Sequence, residues 1–142
     1  MLVAEILKEK GGDVFAVKPE QTLAEACSEL ESRRVGALIV CSEDTVVGVL
    51  SERDVVRALS REGRDALSRP ISAFMTADVV FTAPGETVDM LMTRMTERRI
   101  RHLPVLSEGR LVGVISIGDV VTCQIAEATQ EAESLRTYIA AG

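Results

Sequence analysis

The sequence has no tryptophan, a single tyrosine, three phenylalanines and one histidine. It also lacks a surplus of positive charge: 16 lysines and arginines face 22 aspartates and glutamates, for a net charge of -6. With no basic tail and no interleaving of aromatic with basic residues, nucleic acid is not an expected partner. No apolar run approaches the ~20 residues that span a bilayer. No basic start followed by an apolar stretch resembles a signal peptide, so membrane attachment is not expected and a cytoplasmic location is. The cysteines, Cys27, Cys41 and Cys123, are odd in number and contain no C-x-x-C. Together with the sole histidine, His102, they offer no spacing suited to tetrahedral zinc. They read as small apolar residues of a reducing compartment. There is no G-x-G-x-x-G, no P-loop and no G-x-S-x-G elbow. No catalytic residue and no metal ligand is assigned, and an enzyme is not expected.

What the chain does contain is the same statement made twice. Val14–Ala58 aligns with Val79–Cys123 at a constant offset of 65 residues, without a gap. Pro19 meets Pro84, Thr22 meets Thr87, Arg33-Arg34 meets Arg98-Arg99, and Leu38 and Val40 meet Leu103 and Val105. Val47-Gly48-Val49-Leu50-Ser51-x-x-Asp54 meets Val112-Gly113-Val114-Ile115-Ser116-x-x-Asp119. About a third of the pairs are identical, and many of the rest exchange one apolar residue for another. A repeat of ~60 residues would bury only ~60% of its unfolded surface alone, and the pair ~70%, so the repeats are expected to share one cooperative module.

Each copy reads β-α-β-β-α. Leu2–Lys10 has helical spacing and stops at Gly11-Gly12. Val14–Val17 is a short strand, Leu23–Arg33 a helix with Thr22 as N-cap, Val35–Val40 and Val46–Leu50 are strands around Ser42-Glu43-Asp44, and Glu52–Leu59 is a helix. Arg61–Pro70 is a charged connection. Ile71–Met75 then stands where Leu2–Lys10 stood. The second copy follows with strand Val79–Thr82, helix Val88–Arg98, strands Arg101–Leu106 and Leu111–Ser116, and a helix from Ile117. That last helix outruns the repeat. Ile125, Ala128, Ala132, Leu135 and Ile139 form a narrow apolar seam suited either to packing on its own module or to a dimer contact.

Two carboxylate pairs are placed identically in the copies: Glu43 and Glu108 in the turn between the strands, and Asp54 and Asp119 after the second strand. In Ser-x-x-Asp after an apolar strand, the serine caps the following helix and the acid complements its dipole. That is a structural role. The same helix N-terminus is also a ready anion site, and a carboxylate there can accept both hydroxyls of a ribose. Arg53 stands where it can reach a phosphate. The second copy has Gly118 at that place, so two such sites would differ in charge.

These residues make the chain resemble a tandem pair of CBS domains, often called a Bateman module. The marks are the doubled β-α-β-β-α order, the segments Arg34–Val40 and Arg99–Val105, and the two strand-Ser-x-x-Asp endings, over about Leu2–Ala126. The chain looks like the small stand-alone bacterial CBS proteins. It implies an α/β (α+β) fold of two repeats packed around a pseudo-twofold axis, with an extended C-terminal helix. The expected division is 1–62 for the first repeat, 63–69 for the connection, 70–126 for the second repeat and 127–142 for the helical extension. It implies a non-catalytic regulatory module that binds adenosine compounds in two clefts and passes occupancy to an unknown protein partner, as a homodimer. AMP is favoured, with NAD(H) or ATP possible, and no cofactor is obligatory. Asp54 and Asp119 would hold ribose hydroxyls, with Ser51 and Ser116 near ribose and phosphate. The cleft of Asp119 would use Val35, Gly36, Ala37 and Val114. The cleft of Asp54 would use Ile100, Arg101, His102, Val49, Thr76 and Ala77. Arg53, Arg101 and His102 are the phosphate candidates, and with so few rings adenine would lie between aliphatic side chains. The alternative is a scaffold kept only for dimerisation or partner docking. Because Arg53 faces Gly118 and Gly36-Ala37 faces Arg101-His102, the clefts are expected to be unequal, the tighter at Asp54.

Overall fold

The computed structural model describes residues Met1–Ala141. Helix α1 (Val3–Lys10) is followed by strand β1 (Ala16–Val17), helix α2 (Leu23–Arg33), strands β2 (Ala37–Ser42) and β3 (Thr45–Ser51), and helix α3 (Glu52–Glu62). Two 3₁₀ segments, Gly63–Ser68 and Ile71–Ala73, lead to helix α4 (Val88–Arg98), strands β4 (His102–Ser107) and β5 (Arg110–Ser116), and helix α5 (Ile117–Ala141). The chain forms two compact units. One is Val14–Val80; the other joins Met1–Asp13 to the chain from Phe81 onward.

In the Val14–Val80 unit, β1 lies parallel to β2 and β2 antiparallel to β3. Leu23, Ala26 and Leu30 of α2 pack with Leu38, Val40 and Leu50 of the sheet and Ala58 of α3. The stretch expected as a plain charged connection is helical. It contributes fully buried Ala66 to that core, followed by fully buried Ile71. In the other unit β4 pairs antiparallel with β5, and Val3, Ile6, Val88, Leu91, Met95, Leu103, Val105, Ile115 and Val120 are buried. Thr22 and Thr87 cap α2 and α4 by accepting the N–H groups of Glu25 and Met90, both at 3.2 Å. Both helices end on a left-handed arginine, Arg34 and Arg99, each at φ 54°.

The expected strand Val79–Thr82 does not form. In the first copy Ile39 donates its N–H to Phe15 at 3.4 Å, which helps seat β1 on β2. The matching residue of the second copy is Pro104, which has no N–H to give. A single parallel bridge, Thr82 to Val105, remains. Thr82 keeps two main-chain bonds there, donating to Pro104 at 3.0 Å and accepting from Leu106 at 2.9 Å, and side chains hold the rest of the segment. Glu86 accepts from the Thr82 hydroxyl and the Ala83 N–H, both at 3.1 Å, and pairs with Arg94, whose other donor reaches the Phe81 carbonyl at 2.9 Å. The Arg94 guanidinium, helped by the Thr82 and Ala83 donors, holds the Glu86 carboxyl below the usual range against an opposing push from burial. A carboxyl with a depressed folded pKa adds stability above its unfolded value of ~4.3, and that stability drains away as pH falls through the lower folded value. Glu86→Gln is therefore expected to cost about 1 kcal/mol at neutral pH and to flatten the acid limb of the stability profile below about pH 4, as urea titrations across pH would read.

The entry segments exchange places between the copies. Ile71 N–H donates to Gln21 and Ser72 N–H to Pro19 in one unit; Val3 N–H donates to Glu86 and Ala4 N–H to Pro84 in the other. So Ile71–Ala73 does stand where α1 would stand, but each packs on the copy other than the one to which the expected division assigns it. A cut at 1–62 and 70–126 follows the sequence repeats and separates α1 from the strand it packs on, because α1 lies against β5 and donates main-chain bonds to Glu86 and Pro84.

Helix α5 has 25 residues, about 37 Å at 1.5 Å per residue. Val120 and Cys123 are buried, whereas Ile125, Leu135, Tyr138 and Ile139 are 61–78% exposed. The expected apolar seam is therefore not packed back on its own unit. No helix among the described residues is long and apolar enough to cross a membrane.

Candidate functional site

Two strand-to-helix junctions, built alike, carry the residues singled out from the sequence. At the end of β3 the chain leaves the sheet in extended conformation at Ser51 and enters α3. Asp54 Oδ2 accepts the Ser51 N–H at 2.9 Å and its hydroxyl at 3.1 Å, while Ser51 Oγ accepts the Asp54 N–H at 3.3 Å. At the end of β5, Asp119 Oδ2 accepts the Ser116 N–H at 2.8 Å and its hydroxyl at 3.0 Å, and Ser116 Oγ accepts the Asp119 N–H at 3.2 Å. These are reciprocal capping arrangements, worth about 1 kcal/mol each. They fix each carboxylate at a helix N-terminus and engage only one of its oxygens.

Within each unit, the segment expected to serve the other copy's cleft borders that unit's own junction. Ala37 is in register with Ser51, and Gly36 accepts the Glu52 N–H at 3.0 Å, so Val35, Gly36 and Ala37 border the Asp54 junction. Val49 and Thr76 exchange main-chain hydrogen bonds at 3.0 and 2.9 Å, which brings Thr76 and then Ala77 to the same strand. Arg53 is exposed on the first turn of α3. In the other unit His102 is in register with Ser116, and Arg101 accepts the Ile117 N–H at 2.8 Å, so Ile100, Arg101 and His102 border the Asp119 junction. Gly118 is exposed on the first turn of α5.

The junctions differ in one cation that sequence reasoning missed. Lys10, the last residue of α1, places Nζ 2.7 Å from Asp119 Oδ2 and 2.8 Å from the Val114 carbonyl. The corresponding carbonyl, that of Val49, is taken by the Thr76 N–H. Burial raises the Asp119 pKa, but Lys10 and the two Ser116 donors outweigh it and hold the carboxyl below its usual range. Among the described residues no lysine or arginine pairs with Asp54. Nothing in the spacing joins positions 10 and 119. The only hint was a lysine ending the first helix, and the repeat register assigned that helix to the other copy. Among the described residues no three His, Cys, Asp or Glu side chains lie together as a metal site would need.

The CBS domain sequence profile matches residues 3–61 and again 71–125. The chain belongs to the CBS-domain family. It is 30% identical to the mitochondrial CBS domain-containing protein CBSX3 of Arabidopsis thaliana over 99% of its own length and 72% of that protein's. The crystal structure of the CBS-domain containing protein ATU1752 from Agrobacterium tumefaciens superposes with a TM-score of 0.86 at 40% identity, covering 87% of this chain and 99% of that one. The CBS domain pair of protein MJ0100, at 22% identity, shares the fold with a TM-score of 0.80 over 89% of this chain and 98% of that one. Its crystal structure is a complex with 5′-methylthioadenosine and S-adenosyl-L-methionine. The tandem CBS pair expected from the doubled sequence is thus the family and the fold of this chain, with the long C-terminal helix present.

Proposed function

We propose that this chain is a non-catalytic regulatory module that binds adenine nucleotides at its two Ser-x-x-Asp junctions, AMP ahead of NAD(H) or ATP, and passes occupancy to a protein partner. The observation that carries the reading is the pair of anchored carboxylates. Each is fixed through Oδ2 to its own serine and keeps a second oxygen for a ribose diol. Exposed helix N-termini, the cations Arg53 and Arg101 and the His102 imidazole then serve a phosphate. A charge-assisted hydrogen bond to a hydroxyl is the kind of contact that distinguishes a nucleoside from a bare base. Few cations stand at either junction for the extra charge of a triphosphate, which favours AMP. Transmission to a partner would be linkage: the nucleotide stabilises one arrangement of the chain, and that arrangement has a different affinity for the partner. We place the protein in the cytoplasm.

Calorimetric titration with AMP tests this. Binding that is lost on changing Asp54 or Asp119 supports the reading. An absence of heat with AMP, NAD(H), ATP and S-adenosylmethionine alike, together with an unchanged melting temperature, removes it in favour of a second one. That second reading, a scaffold for dimerisation or docking, draws on the exposed apolar face of α5, where Ile125 is 62%, Leu135 61% and Ile139 70% exposed. We assign this face to the homodimer under both readings.

A further inference from the structure

Position 53 is arginine and its counterpart, position 118, is glycine, so from the sequence the Asp54 site alone has a cation built into its own turn. The fold restores the balance from elsewhere. Lys10 arrives on α1, 109 residues away in sequence, and sets its ammonium against Asp119. Two of its three N–H donors are spent, one on Asp119 Oδ2 and one on the Val114 carbonyl. The third is left for a ligand. The lysine head is not buried: its side chain is 36% exposed and that of Asp119 22%. Arg53, by contrast, is exposed on the first turn of α3, and no lysine or arginine among the described residues pairs with Asp54.

We propose that Lys10 is the specificity-determining cation of the Asp119 site, making that site select a nucleoside phosphate over the uncharged nucleoside; the proposal rests on the nucleotide reading above. A carboxylate alone at a ribose site repels an approaching phosphate. An ammonium 2.7 Å from it cancels that charge locally and presents a donor to the phosphate oxygens. Lys10 thus does for Asp119 what Gly118 cannot. The seat of the lysine is also fixed by packing, because Leu7 of the same helix lies against Gly113, where an added Cβ would meet Leu7 Cδ2 at 2.4 Å.

The test is titration of AMP and of adenosine against the full chain carrying Asp54→Asn, which leaves the Asp119 site as the one read. Adding Lys10→Met is expected to weaken AMP about tenfold or more and adenosine by no more than about twofold, and Lys10→Arg to restore the preference for AMP. Equal losses of AMP and adenosine would mean that Lys10 only anchors α1, and would overturn the proposal. So would tighter AMP binding in Lys10→Met, which would make the lysine a competitor of the ligand. If the wild-type chain binds both compounds and the Asp54→Asn chain neither, Asp119 is no site and this inference falls alone. If the wild-type chain binds neither, the nucleotide reading falls and takes this inference with it.

Discussion

Replacing Asp54 with alanine is expected to weaken AMP at its own site by about 10- to 100-fold, and to destabilise the protein by about 1 kcal/mol at the same time. The first effect follows from the value of a charged hydrogen bond to a hydroxyl, ~1.5–3 kcal/mol. The second follows from the cap. Asp54 Oδ2 is the acceptor for both the N–H and the hydroxyl of Ser51, at 2.9 and 3.1 Å, and alanine abolishes both. Because the residue is 8% exposed, those donors would be left largely without water. Asp54→Asn separates the two losses. Its amide oxygen can still accept from Ser51, so the melting temperature should stay near that of the wild type. The remaining oxygen becomes an NH₂ group, which cannot accept a ribose hydroxyl, so AMP binding at this site should fall nearly as far as with alanine. If Asp54→Asn titrates AMP with wild-type affinity at both sites, the carboxylate is a cap and nothing more. Asp119→Asn should behave differently, because Lys10 loses its charged partner as well. Its stability cost should exceed that of Asp54→Asn.

Much of this was legible in the sequence, for a definable reason. The offset of 65 residues aligns every buried position of the strands and of α2 with α4, and Thr22, Thr87, Ser51 and Ser116 all cap the helices their spacing predicts. Local chemistry decides caps, and duplication doubles the signal. Two features escaped. The strand expected at Val79–Thr82 was written in apolar residues like its counterpart, but its formation depended on a donor across the gap, and Pro104 has none. The cation at Asp119 depended on which copy α1 packs against. A repeat register describes similarity along the chain and is blind to an exchange of equivalent segments. Lys10 and Asp119 therefore had no visible relation until the fold placed Val3 and Ala4 on Glu86 and Pro84.

The exchange itself is held by two glycines, and the first is expected to tolerate substitution much less than the second. Gly48→Val should destabilise the protein by about 2–3 kcal/mol and displace the Thr76–Ala77 segment from the Asp54 junction. A Cβ at Gly48 would stand 2.6 Å from Met75 Sδ, 2.9 Å from Met75 Cγ and 3.1 Å from the Thr76 carbonyl oxygen. Methionine can turn away, but the carbonyl cannot, because it accepts the Val49 N–H in the bridge between Val49 and Thr76. The three atoms nearest to a Cβ at Gly113 all belong to the Leu7 side chain, Cδ2 at 2.4 Å and Cδ1 and Cγ at 3.5 Å. Its steric cost is one side-chain rotation, and substituting glycine by alanine returns roughly 0.4–1 kcal/mol by narrowing the unfolded ensemble. Gly113→Ala should therefore be close to neutral, and Gly48→Ala should be destabilising by about 1 kcal/mol net. Urea unfolding of the four chains, Gly48→Ala, Gly48→Val, Gly113→Ala and wild type, gives the order directly. Adding Met75→Ala to Gly48→Ala should recover part of the loss, because the removed side chain supplies two of the three close atoms, and the Thr76 carbonyl should keep the rescue incomplete. A Gly113→Ala loss as large as that of Gly48→Ala would place the constraint in the strand itself rather than in the entry segment laid across it.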